Sequence, residues 1–232
     1  MPLRPPPRLF VVFAARAHVA VVIRRGPSSW AHVTRWETDA DRFTPGAWFR
    51  GRIVPEKCDL SPDGALFVYA AYKGSHLRSP ATDSWTAVSR APWLHALALW
   101  PMGTTYGGGG RFVGERSLIL RGAGSAHPAH PPHGLEVVDG VAELQRSTGE
   151  VEGAEWSGRD QRDRLVFARE GRLFERRGPA DLLLFDFAPL APAPAPAPAW
   201  ATEPLVKAPS AGARGRSGSV ARGERPGPRR AR

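Results

Sequence analysis

The sequence predicts an all-β domain, and three observations carry that expectation. The apolar runs are short and rich in Val, Ile, Leu, Phe and Trp. Turn signals built on Gly, Pro, Asp and Ser separate them. No stretch has the period of a convincing amphipathic helix. About fourteen strand candidates precede Pro189. At 232 residues the chain is long enough for one domain with a real core, followed by a tail.

The first candidates are "LFVVFAA" (9–15) and "HVAVVIRR" (18–25), broken near Ala15–Ala17. Gly26-Pro27-Ser28-Ser29 then reads as a four-residue hairpin loop into "WAHVTRW" (30–36), where Trp30, Val33 and Trp36 do not alternate and leave the inward face undetermined. "TDADRFTPG" (38–46) reads as a turn region and "AWFRGRI" (47–53) as one strand. In "CDLSPDGALFVYAAYKG" (58–74), Pro62 presets a turn and Asp63-Gly64 supplies its left-handed position. The following "ALFVYAAY" is apolar at successive positions, which predicts a strand covered on both faces. "SWTAVSR" (84–90), "LHALALW" (94–100) and "RSLILRG" (116–122) continue the pattern. Two hairpins are expected later, around Asp139-Gly140 in "GLEVVDGVAELQ" (134–145) and around Glu170-Gly171 in "RDRLVFAREGRLFERR" (162–177). "DLLLFDF" (181–187) is the last strand candidate.

Regular short strands suit a sandwich, a barrel or a propeller. "SPDGALFVYAAY" and "RDRLVFAREGRLFERR" resemble phrases of WD40-like and TolB-like β-propeller blades. That resemblance implies a β-propeller-like fold of about four blades, or an incomplete propeller, with a β-sandwich as the alternative. The segment "CDLSPDG…SWTAVSRAPWL…ALALWP…GGGG" also resembles one shared by a group of uncharacterised bacterial proteins, which implies a bacterial source and no particular activity.

The formal charge is +10, but it is unevenly spread. The last 42 residues carry +6 of it, leaving the first 190 only mildly basic. Three of the 32 basic residues are lysine, and asparagine is absent. Arginine forks suit phosphate, but a composition high in Ala, Gly, Pro and Arg also fits a GC-rich genome. Expected boundaries are residues 1–188 for the all-β domain, 189–210 for an extended Ala/Pro-rich linker, and 211–232 for a disordered Arg/Gly-rich basic tail. Cys58 is the single cysteine, so no intrachain disulfide is expected, and a buried small hydrophobe is its default role. The apolar stretch from Leu9 to Ala15 after Arg4 and Arg8 imitates a short signal segment. Read as strands, it leaves a cytoplasmic protein, with export as the alternative. No run of 18 apolar residues predicts a transmembrane helix.

The candidate ligand-binding residues are Trp93, Trp100, Tyr106, Gly107, Gly108, Gly109, Gly110 and Arg111. Consecutive glycines let a backbone approach a phosphate or sugar, Arg111 would pair with an anion, and Trp85, Trp93 and Trp100 would offer stacking surfaces. The competing reading is a bent inter-strand loop beside core tryptophans. His127, His130 and His133 share one face of a polyproline II helix but stand about 9 Å apart along it, which argues for a solvated loop and not a metal site. No catalytic motif, cofactor or metal site is expected. Three functions remain open: a noncatalytic interaction module meeting protein partners, a small-ligand binder or enzyme using residues 85–111, and a protein held nonspecifically on nucleic acid by its basic tail.

Overall fold

The computed structural model describes residues 5–73, 83–104 and 106–205. The basic tail therefore lies outside the described residues. The first sheet is an antiparallel meander of β1 (Arg8–Phe13), β2 (Val19–Arg25), β3 (Trp30–Glu37) and β4 (Arg42–Arg50). The second contains β5 (Arg52–Ile53), β6 (Asp59–Leu60), β7 (Leu66–Tyr72), β8 (Ser84–Arg90) and β9 (Ala98–Pro101). Both β5 and β6 pair along one edge of β7, separated by a 3-10 turn at Pro55–Lys57. The third sheet holds β10 (Gly110–Phe112), β11 (Ser117–Leu120) and β12 (Glu136–Val137), the last parallel to β11. The fourth is a second meander, β13 (Trp156–Arg159), β14 (Leu165–Arg169), β15 (Arg172–Arg177) and β16 (Ala180–Asp186).

Packing explains why strands such as β2 and β7 are apolar at successive positions. Val19, Val21 and Ile23 of β2 pack against the second sheet, while Ala20 and Val22 face the fourth. On β7, Phe67, Tyr69 and Ala71 face the first sheet, while Leu66 and Val68 face the third. Side chains alternate across a strand, so a strand between two packed sheets needs apolar residues at both parities. The first sheet thus lies between the second and the fourth, and the second lies between the first and the third.

The turn chemistry holds at two places. Gly64 donates its N–H to Ser61 O at 2.8 Å with φ +70°, closing the turn before β7. Glu170 and Gly171 have φ of 53° and 74°, the two left-handed positions that a type I′ hairpin needs. The Asp139-Gly140 hairpin does not form. Glu136 and Val137 lie beside β11, Val138 N–H donates to Leu118 O, and residues 141–150 belong to no strand. The first arm finds its partners on an existing sheet edge, while Ala142 O and Gln145 N–H bond to Arg121 and Glu56 instead of to that arm.

Three other expectations need correction. Much of the supposed turn 38–46 is strand, because β4 starts at Arg42 and runs through Pro45. Pro45 is tolerated because β4 is an edge strand and the ladder shifts register between His32 and Thr34. The run 47–53 is not one strand: the chain leaves the first sheet at Gly51 and enters the second at Arg52. In 94–100 only the end is strand, since β9 starts at Ala98. β13 lies outside the strand candidates, because Ser and Gly at its centre weaken the β signal.

The Ala-Pro run carries no strand or helix up to a single helical turn, α1 (Ala199–Thr202). Ala201 and Leu205 are buried, and Leu205 joins the core between the second and third sheets. Packed chain therefore continues past Ala188 as far as Leu205. No helix among the described residues is long and apolar enough to cross a membrane.

Candidate functional site

The glycine run is packed by the protein's own chain. Gly109 N–H donates to Thr86 Oγ1 at 2.7 Å, and Gly108 N–H donates to Arg121 O at 2.9 Å. Lys57 Nζ donates to Gly107 O at 2.6 Å and to Tyr106 O at 2.9 Å. A Cβ on Gly109 would stand 2.1 Å from Lys57 O, and one on Gly110 would stand 2.6 Å from Ile119 O. Gly110 is also the first residue of β10. The cavity touching Gly107 and Gly108 is about 10 Å³, roughly one water-sized probe. Tyr106 is 90% exposed, Arg111 is exposed and Trp93 is half-buried. Trp100 is buried toward the third sheet, whereas Trp85 packs toward the first, edge-on to Phe49 at 5.8 Å. These two indoles occupy opposite faces of one sheet and share no platform.

The histidine segment is held at β9. His127 N–H donates to Leu99 O and Leu99 N–H donates to His130 O, so residues 127–130 turn back instead of following a polyproline helix. Cys58 is buried, donates its thiol to Val54 O at 3.2 Å, and has its pKa raised by burial.

Asp59 sits where β6, β10 and the 141–150 segment meet. Phe112 N–H and Gln145 Nε2 donate to its two oxygens at 2.8 and 2.9 Å. Burial nonetheless pushes its pKa up to about 6, against those bonds and the nearby Arg111 charge. An acid with a raised folded-state pKa keeps its proton while the unfolded chain loses it, so stability falls as pH rises from about 4 to 6. The loss is on the order of 3 kcal/mol at most. Asp59→Asn, which Gln145 accommodates by turning its amide, should flatten that slope. Denaturant midpoints at pH 4, 5, 6 and 7 measure it, and parallel curves for the two proteins would refute the assignment.

A far larger concavity than the one at the glycine run lies elsewhere. A cleft of about 690 Å³ opens at the end of the first sheet where β1 begins and β2 ends. Phe10, Ile23, Ala31 and Pro55 give it apolar surface, and Trp30 and Tyr72 add aromatic rings. Arg8, Arg25 and Arg52 line it, together with Glu56 and Glu155. Arg8 and Arg25 are direct cross-strand partners on β1 and β2. Like charges in that position repel. Among the described residues neither forms a salt bridge. Arg52 donates to Tyr72 Oη, and its guanidinium lies over the Tyr72 ring at 5.3 Å, which fixes its orientation. Burial lowers the pKa of Arg25; Glu56 opposes the shift, and the charges of Arg52 and Arg8 add to it. Glu155 is engaged, since its Oε1 accepts the N–H of Glu170 at 3.1 Å.

Such a surface combines planar donors, rings and an apolar floor, the usual make-up of a small-ligand site of 300–1,000 Å³. No protein-family model, curated protein or solved structure matches the chain. Sequence reasoning misses the cleft residues, because they come from β1, β2, β3, β5, β7 and the 3-10 turn. One signal is present: folding residues 9–25 into a hairpin about Arg16-Ala17 sets Arg8 opposite Arg25.

Proposed function

We propose that this protein is a noncatalytic binding module on a propeller-like arrangement of four sheets, and that its ligand sits in the cleft at the Arg8 end of β1. The propeller-like reading is supported by chain order. Consecutive sheets pack first on second and second on third, and the fourth packs on the first; no core cluster among the described residues joins the third to the fourth, so the arrangement is that of an incomplete propeller. The binding reading rests on one observation: three arginines line a cleft of about 690 Å³ together with the rings of Phe10, Trp30 and Tyr72.

Thermal unfolding of the full chain with a panel of small anionic, neutral and cationic aromatic compounds tests it. Anionic members should raise the midpoint, by about 2.7 kcal/mol of added stability at a hundredfold excess over Kd. Arg25→Gln combined with Trp30→Leu should remove the effect. A panel with no active member, or an effect that survives the double variant, would reject the cleft as the binding site.

A further inference from the structure

We infer that the cleft takes a phosphorylated nucleoside, with its phosphate on the arginines and its base against Trp30; this rests on the binding reading above. Three features point to that class. Arg8 and Arg25 stand directly across the β1–β2 ladder with no salt bridge among the described residues, an electrostatic cost that a bound anion relieves. Arg52 is held by Tyr72 on another wall of the same cleft. A carboxylate offers one edge with two oxygens, enough for a single bidentate fork. A phosphate monoester offers three terminal oxygens and close to two negative charges near neutral pH, which matches three guanidiniums better.

The rest of the cleft fits the remainder of such a ligand. Trp30 is half-buried at the start of β3 and lines the cleft, as a stacking surface for a base must. Glu56, on the 3-10 turn, is unfavourable for phosphate, but a carboxylate is the acceptor that sugar hydroxyls require. Cations and an acid in one cleft thus suit a molecule with an anionic end and a hydroxylated middle.

Calorimetric titration of the full chain with a nucleoside monophosphate, the matching nucleoside, ribose 5-phosphate and an aromatic carboxylate decides the matter. The monophosphate should bind at least about tenfold more tightly than each of the others, the discrimination expected from losing one charge-assisted contact or one stacked base. Arg25→Gln should weaken the monophosphate and ribose 5-phosphate alike. Trp30→Leu should weaken the monophosphate and leave ribose 5-phosphate unchanged, which general misfolding would not do. Equal binding of nucleoside and monophosphate overturns the inference. So does binding of the monophosphate that ignores both substitutions, as attachment to the arginine-rich C-terminal segment would. Tight binding of the carboxylate alone, lost in Arg25→Gln, overturns the ligand class and leaves the cleft as a binding site. Silence from all four ligands overturns the phosphorylated-nucleoside assignment, while the anionic panel of the thermal experiment judges the cleft separately.

Discussion

Replacing Arg164 with alanine is expected to destabilise the folded chain by about 3–5 kcal/mol, the cost of leaving buried carboxylates without their cation. Its guanidinium meets Asp160 Oδ2 at 2.6 Å, both oxygens of Asp41 at 2.9 Å, and Glu175 Oε2 at 3.2 Å. It also donates to Thr38 O at 2.6 Å. Asp41 and Thr38 lie in the turn after β3, whereas Asp160, Arg164 and Glu175 belong to the fourth-sheet region, so one side chain fastens two sheets together. Asp160 is nearly inaccessible and uses its other oxygen on the N–H groups of Arg162 and Arg164. Arg164→Lys should recover only part of the loss, since an ammonium lacks the planar fork that reaches three carboxylates. A fall in the denaturant midpoint of this size supports the hub; a change within about 0.5 kcal/mol, typical of surface sites, refutes it.

The same hub fixes the acid limb of stability. Burial alone would raise the pKa of Asp41, but the Arg164 bonds and charge and the Trp36 indole N–H bring it below the ordinary carboxylate value. Its contribution is therefore present above about pH 4 and lost as pH falls further. That window lies below the pH 4–6 range in which Asp59 acts with the opposite sign. In Arg164→Ala the acid-side loss from Asp41 should shrink, because the partner that lowers its pKa is gone.

What the sequence discloses follows from the range of each interaction. Turn chemistry is local, so the Ser61–Gly64 turn and the Glu170-Gly171 hairpin are legible. Asp139-Gly140 is the same type of local signal, but a competing partner far along the chain, the β11 edge, captures its first arm. The two-sided burial of β7 is legible because its composition records both faces; which sheets cover it is not. The cleft is the least legible feature. Arg8, Arg25 and Arg52 look like ordinary strand-end charges until the sheets bring them together, and their spacing encodes only the Arg8–Arg25 pairing.

Gly109→Ala should cost about 2–5 kcal/mol, the sum of a left-handed backbone strain and an overpacked contact. Gly109 has φ +81°, and an added Cβ would lie 2.1 Å from Lys57 O and 2.9 Å from Lys57 C. Both atoms are backbone, fixed by the 3-10 turn Pro55–Lys57, so no flexible side chain can swing aside. Nor can the loop move away, because Gly109 N–H is tied to Thr86 Oγ1 and its carbonyl accepts the N–H of Arg121. The third sheet is thereby joined to the second through Thr86 at the centre of β8. Gly103, at φ +63° with nothing within 4 Å of an added Cβ, is the control: alanine there meets the backbone strain alone and should cost about 1–2 kcal/mol. Equal losses at the two positions would show that close packing at Gly109 is not what the glycine run provides. A Gly109→Ala protein of normal stability that had lost a ligand would instead make the run a binding loop. The larger loss at Gly109 is the expected result, because a tight contact between two backbones admits no side chain.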